Sequence, residues 1–510
     1  MSQEKWYDQF YGKKSSRSAK AAERTKRKEY NKARDEYFDQ KRRGVLAEDG
    51  VPTSQSAKKG QRGVADVPAG AQKSAAQRSS IGDVRSFAAG ASDAQILSSR
   101  NLFDATAIPQ DSRRVLENFD AIVQGVRPMN SRQMQSLPKD IRTLSHLLTD
   151  ERGARHVAYM NATEQLSAYL RYFTWWNLVR LTRVFANLPA SSLAFNDGDA
   201  LLDAGSGPLT LVIALWLSRP ELRQKRLTVY CMDISQSTMA VGEELYLSIA
   251  AKTPPKNPDA EGFWKIVRVK GELGTDIRKK AVFVGAANMF NEIYQKDHEA
   301  PEKIADKQIK ALTSYAAPGA RFFIAEPGMP VAGRFISLMR ERFIRRGCAV
   351  VAPCPHQKTC PMNGLHARYG GSAKWCNFSF STADAPQKLL KLSESAGLPK
   401  ERAVISFLFV TGGEVQSSSD AGSLAELHDV RGNPTENKVQ KALPLAVVSD
   451  PIRLGEHRTG FYSCTEHGMA LAIAGRAKGL KSGDIIKMSM LKSMDTLPKD
   501  KKSGAVEITL

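Results

Sequence analysis

Two groups of residues in this chain have the types and the spacing to do chemistry. The first is Asp203, Gly205, Ser206 and Gly207, within Ala200-Leu-Leu-Asp-Ala-Gly-Ser-Gly-Pro-Leu209. An apolar run that breaks at an acid and two glycines, then resumes as Leu209 to Leu217, reads as a strand, a ligand-gripping loop and the start of a buried helix. Glycines at such a loop permit backbone angles and close ligand approach that a β-carbon blocks, and the helix start offers free N–H groups. The third glycine of a dinucleotide fingerprint is absent, with Thr210 in its place. Leu227-Thr-Val-Tyr-Cys-Met-Asp233 is a second buried strand ending in an acid, at the spacing where a carboxylate accepts both hydrogen bonds of a ribose. Asp203 beside the glycines would repel a pyrophosphate but can orient a loop that receives the amino-acid end of S-adenosylmethionine. The pattern therefore favours that cofactor over a nicotinamide dinucleotide. A tight turn with no ligand is the bland alternative, and Asp233 speaks against it.

The second group is Cys348, Cys354, Cys360 and Cys376, separated by five, five and fifteen residues and stiffened by Pro353, Pro355 and Pro361. A metal explains four thiols so placed in a reducing compartment better than chance does, since disulfides are disfavoured there. Zinc ribbons use paired knuckles of narrower spacing, whereas a [4Fe–4S] cluster takes four thiolates at irregular intervals. The cluster is favoured, with zinc as the alternative. His356 and His366 read as neighbours of such a site rather than ligands, and Cys231 and Cys464 as ordinary buried thiols. Four available cysteines also argue against a radical S-adenosylmethionine enzyme, which leaves one iron free.

These groups need a scaffold, and the periodicity supplies one. Past Asp233 the chain alternates helix Gln236–Ala250, strand Trp264–Lys270, strand Ala281–Gly285, helix Ile304–Tyr315, strand Arg321–Glu326 and helix Val331–Arg346. Such alternation predicts an α/β fold with a doubly wound parallel sheet, whose ligands bind beyond the carboxyl ends of the strands. Gly205, Asp233, Gly271/Glu272, Ala287/Asn288 and Glu326 should then line one edge, with Asn288 a further cofactor contact. Residues 1–90 read as a basic tail and linker and 91–195 as a helical cap. Residues 196–413 read as the nucleotide domain, with the cysteine-rich insertion at 348–380. A linker at 414–438 leads to a small β-rich appendage over 439–510, whose short alternating runs suit an OB-like module or a β-unit that covers the sheet edge. Within the cap, Tyr169 to Arg183 mixes aromatics with arginines and reads first as a buried helix, second as a surface for stacking RNA bases.

A formal charge of +21 over 510 residues exceeds what solubility needs and points to a polyanion, nucleic acid before anionic membrane. No apolar run reaches the roughly 18 residues of a membrane span. The first residues, Met1-Ser-Gln-Glu-Lys-Trp-Tyr-Asp, carry no apolar signal core, so a cytoplasmic location is expected.

The residues together resemble a known family. Asp203 to Gly207 looks like the first motif of Rossmann-like class I methyltransferases. Pro353-Cys-Pro-His356, Cys360-Pro361, Trp375-Cys-Asn-Phe-Ser379, Ala325-Glu-Pro-Gly328, Leu144-Ser and Leu148-Thr resemble the mitochondrial small-ribosomal-subunit assembly methyltransferase-like proteins and their bacterial homologues, over roughly residues 110 to 490. The resemblance implies a Rossmann-like class I methyltransferase sheet, S-adenosylmethionine binding and a [4Fe–4S] cluster on four cysteines. It also implies association with small-subunit ribosomal RNA and pre-subunit particles, either as a methyltransferase or as a non-catalytic assembly factor. The chain departs from amino-directed methyltransferases after the fourth strand, where Val284-Gly-Ala-Ala-Asn-Met-Phe-Asn-Glu292 stands in place of an N-P-P-Tyr motif, and no catalytic residue is singled out.

Overall fold

A computed structural model of the chain describes residues 92–149, 163–257, 262–292, 299–364, 374–412, 442–454, 458–474 and 479–510. The expected tail over 1–90 and linker over 414–438, with His366, lie outside these residues. Everything described belongs to one compact unit, Gly90–Leu510.

The chain opens with strand β1 (Ala94–Asn101), then helices α1 (Gln110–Glu117), α2 (Phe119–Val126), α3 (Ser131–Thr149) and α4 (Thr163–Ala168). A π-helical turn, Tyr169–Thr174, leads without a break into α5 (Trp175–Asn187). The central alternation follows as β2 (Ala200–Ala204), α6 (Thr210–Ser218), β3 (Thr228–Asp233), α7 (Gln236–Lys252), β4 (Lys265–Lys270) and β5 (Ala281–Ala287). It continues with α8 (Pro301–Ser314), β6 (Ala316–Glu326), α9 (Pro330–Arg345), β7 (Ala349–Ala352), β8 (Phe378–Ser381), α10 (Gln387–Ser395) and β9 (Arg402–Thr411).

The main sheet runs β4-β3-β2-β5-β6-β9-β7, with β8 on β9. Strands β4 to β6 are parallel, and β9 is antiparallel to both β6 and β7. Sequential strands spread in both directions from β2, so the order reverses between β2 and β5, which is where an open α/β sheet leaves a ligand crevice. Alternate side chains go to opposite faces. Leu201, Phe283, Phe323 and Phe409 join one core with α5, α6 and α7, while Leu202, Val284, Ile324 and Leu408 join the other with α8 and α9. Every residue of α6 is buried. A helix this short is marginal in water, and its Leu, Ile and Trp side chains hold it by roughly 1.5–3 kcal/mol each on burial.

The cap closes over α5 and α6. Ser112 donates to the Leu217 carbonyl at 2.6 Å, and the Trp175 indole to the Leu116 carbonyl at 2.8 Å. Among the described helices, none is long and apolar enough to cross a membrane.

The second sheet holds β10 (Leu443–Val447), β11 (Ile452–Arg453), β12 (Thr459–Thr465), β13 (Gly468–Ala474), β14 (Asp484–Met490) and β15 (Val506–Thr509). Its order is β1-β14-β10-β12-β13-β15, with β11 on β12. The segment 91–195, expected to be helical, thus opens with a strand that pairs with β14 from Ala94↔Met490 to Asn101↔Asp484. The helical cap follows it. Ala446, Val448, Cys464 and Ile485 carry this sheet into the core shared with α5 and α6.

Candidate functional site

The loop after β2 is tied to the neighbouring strand. The Gly205 and Ser206 N–H groups both donate to the Met232 carbonyl, at 2.9 and 3.0 Å. Gly205 and Gly207 have φ of 68° and 49°, and Leu209, before α6, is also left-handed at 57°. Gly205 has a second constraint, because a Cβ there would lie 2.6 Å from Met289 Cγ. The Asp233 carboxylate accepts from Gly207 N–H at 2.9 Å on one oxygen and from Ser235 N–H at 2.9 Å on the other. Those bonds fix its orientation and leave lone pairs on both oxygens for further donors.

Asp203, 2 % exposed, has an Oδ2 with no hydrogen-bond partner among the described residues. Burial, reinforced by the charge of Asp233, raises its pKa well above the ordinary carboxylate value. A buried acceptor left open in this way suits a cationic donor brought by a ligand.

At the end of β5, Asn288 takes φ 58° and its N–H donates to the Ala325 carbonyl at 2.8 Å. Buried Glu326 holds the following turn, accepting from Phe290 and Asn291 N–H at 2.8 and 3.0 Å. These loops enclose a cavity of about 550 Å³, lined among others by Asp203, Gly205, Ser206, Gly207, Asp233 and Asn288. That volume is within the roughly 300–1,000 Å³ usual for small-molecule sites. Gly271, Glu272 and Ala287 also line it, and Glu326, expected at the same edge, stands behind it as a support. Sequence reasoning missed Met289, Lys307 and Gln308, and it missed Tyr169 and Asn177 from the cap. The signal for Tyr169 was the aromatic and arginine mixture, outweighed there by the core reading.

All six cysteines are free. Cys354 accepts from Arg340 Nε at 3.1 Å, and Arg340 Nη2 donates to the His356 carbonyl at 2.8 Å. His356 Nε2 lies 3.0 Å from Cys464 Sγ, while its Nδ1 is buried without a partner. Burial, then the Arg340 charge, takes the His356 pKa down to about 4. Burial raises the thiol pKa of Cys376 and Cys464 well above the ordinary value, and each is raised further by Cys354 and Cys360. Cys354 is pushed up to about 11, again chiefly by burial. Cys348 is raised by burial too, but its charged neighbour is Arg346. The thiols that bear on one another electrostatically are thus Cys354, Cys360, Cys376 and Cys464. Cys464, expected to be an ordinary buried thiol of the appendage, thus bears on the other three and lies beside His356.

The donor chemistry suits a thiolate-bound cluster, with buried Arg340 to balance its charge. Among the described residues, however, no three Cys, His, Asp or Glu side chains stand close enough together to hold a metal ion.

The family described as mitochondrial small ribosomal subunit Rsm22 matches residues 163–421. No curated protein matches the sequence. Solved structures similar to the chain include a methyltransferase from Pyrococcus furiosus, at 11 % identity and TM-score 0.24, covering 43 % of this chain and 78 % of that one. Another is the plantazolicin methyltransferase BpumL in complex with SAH, at 8 % identity and TM-score 0.26, covering 55 % and 98 %. TrmN from Thermus thermophilus aligns at 14 % identity and TM-score 0.21, covering 33 % and 42 %. Alignments this loose leave the fold resting on the strand order itself.

Proposed function

Because the chain belongs to the mitochondrial small ribosomal subunit Rsm22 family, we propose that it is a methyltransferase-like protein that binds S-adenosylmethionine and acts on or with the ribosomal RNA of the small subunit. The observation that carries this reading is the open, buried carboxylate of Asp203 in a cavity bounded by Gly205, Gly207 and Asp233. Asp203 would take the amino group, Asp233 the ribose hydroxyls, and the Gly205 to Gly207 backbone and Asn288 the remaining polar edges. Bound there, S-adenosylmethionine supplies an electrophilic methyl group. The chain's own part is to orient and to exclude water, since Tyr169 and Asn177 line the cavity from the cap side. A cytoplasmic location belongs to the same reading.

Calorimetry of the full chain tests the cofactor. Asp233→Ala removes hydrogen bonds to a charged acceptor worth about 1.5–3 kcal/mol and should weaken binding by one to two powers of ten. Unchanged affinity in both Asp233→Ala and Gly207→Val, or tight NAD binding, overturns the reading. Turnover is tested by mass spectrometry of ribosomal RNA from a deletion strain, where a methyl mark restored by the parent but not by Asp203→Ala is the expected result.

A second reading, a non-catalytic assembly factor, is favoured by the thiols. Cys354, Cys360 and Cys376 lie on the loop between β7 and β8, and Cys464 lies on the second sheet, so a [4Fe–4S] cluster there would act as a structural staple. Zinc is the alternative occupant. Loss of the cluster with the methyl mark retained separates the two roles.

A further inference from the structure

Most of the stretch from Tyr169 to Asn187 is core, as its periodicity requires, yet one stripe stays partly exposed. Tyr169, Phe173, Asn177 and Arg180 recur at helical spacing, while Leu170, Arg171, Tyr172, Thr174, Trp175, Trp176, Leu178 and Val179 between them are buried. The stripe begins inside the cavity, which Tyr169 and Asn177 line. The rings of Tyr169 and Phe173 stack at 5.7 Å and 24°. Asn177 Oδ1 accepts from Arg180 Nη1 at 3.0 Å, while Arg180 Nε is buried with no acceptor.

A second cation lies within electrostatic reach of Arg180. Lys400, in the turn between α10 and β9, places its ammonium 6.0 Å from the Tyr172 ring centre and 5.9 Å from that of Trp176. Among the described residues, neither Arg180 nor Lys400 forms an ion pair. Arg183 on the same helix pairs with Asp384 at 2.6 Å, so acids do serve this face where the fold needs them. Burial, then the Arg180 charge, lowers the Lys400 pKa to about 8, and burial lowers that of Arg180 to about 10. Two half-buried cations that bear on each other with no anion between them are an incomplete arrangement. A phosphodiester completes it, and the partly exposed Phe173 ring suits an unstacked base.

We propose that Tyr169, Phe173, Arg180 and Lys400 form a track for single-stranded RNA that enters the cavity, with a base on the Phe173 ring and one backbone phosphate between the two cations. The track rests on the reading above only in its destination, the methyl-donor cavity.

The test uses the full chain and a labelled uridine oligonucleotide of about 12 nucleotides, within the span of a single-strand site. Arg180→Gln/Lys400→Gln should flatten the log–log salt slope by about 0.7, the share of one phosphate. Phe173→Leu should weaken binding about tenfold with the slope unchanged. S-adenosylmethionine affinity is measured on the same variants. Retained cofactor binding with unaltered RNA affinity and slope overturns the track alone, whereas absent cofactor binding in the parent overturns the proposed function and leaves the track to the RNA measurement. Ultraviolet cross-linking of the unmodified protein needs no variant. Adducts on Tyr169 or Phe173 are expected, and adducts confined to other segments, or equal affinity for a duplex of the same length, overturn the proposal.

Discussion

A carboxylate sealed in the protein with one oxygen unanswered is held there against its own solvation, and Asp203 is in that position. Its pKa in the folded chain is raised above the ordinary 3.8. Folding therefore favours the protonated form: the penalty is absent below the unfolded pKa, grows as pH rises towards the folded value, and is largest above it. Asp203→Asn should accordingly raise the melting temperature of the ligand-free protein at pH 7, and raise it less at pH 4. The same substitution should lose the contact to the cofactor amino group and bind S-adenosylmethionine more weakly. Thermal melts at the two pH values check the first effect and calorimetry the second. A variant that melts lower than the parent at pH 7 would show that an unseen donor already satisfies Asp203.

Among the elements, the central parallel strands β2, β3 and β5 were legible because burial on both faces writes them as continuous apolar runs. Strand β2 reads Ala-Leu-Leu-Asp-Ala and is buried throughout, and the acid at the end of β3 announced itself by position. Strand β1 was not legible, since a short stretch such as Ala94–Asn101 acquires meaning only from β14, far along the chain. Spacing drew together Cys348, Cys354, Cys360 and Cys376, whereas Cys464, which bears electrostatically on the last three, lies far along the chain on the second sheet and carries no such signal. Gly333 in α9 shows how closely the cysteine loop is laid down: a Cβ there would lie 2.8 Å from Trp375 Cδ1 and 3.1 Å from the Cys376 carbonyl. Cys464→Ser should therefore lose bound iron and sulfide from anaerobically purified protein, about four of each in the parent, while Cys348→Ser keeps them. One zinc and no sulfide would assign the site to zinc, and the opposite pattern between the two serine variants would restore Cys348.

For the whole molecule the dominant property is charge. Lys and Arg number 74 against 53 Asp and Glu. The excess should show as a steep salt dependence of ribosomal RNA binding, with a log–log slope of about −0.7 for each phosphate neutralised on single strands. Part of it belongs to residues 1–43, with 14 basic and 7 acidic side chains. Deleting residues 1–90 should flatten the slope, and the Arg180 and Lys400 contribution should survive that deletion. A slope near zero in the intact chain would point instead to a protein partner.

The pairing of β1 with β14 also sets an order in time. Asp93, just before β1, forms an ion pair at 2.6 Å with Lys492, 399 residues further along, and its N–H donates to the Thr509 carbonyl at 2.7 Å. A chain emerging from synthesis must hold β1 unpaired until β14 has been made. Cys464 arrives on β12 within the same late sheet, after Cys354, Cys360 and Cys376 have been made. A chain whose synthesis has not passed β14 carries β1 without its partner. Pairing of β1 is thus a record that synthesis has passed β14.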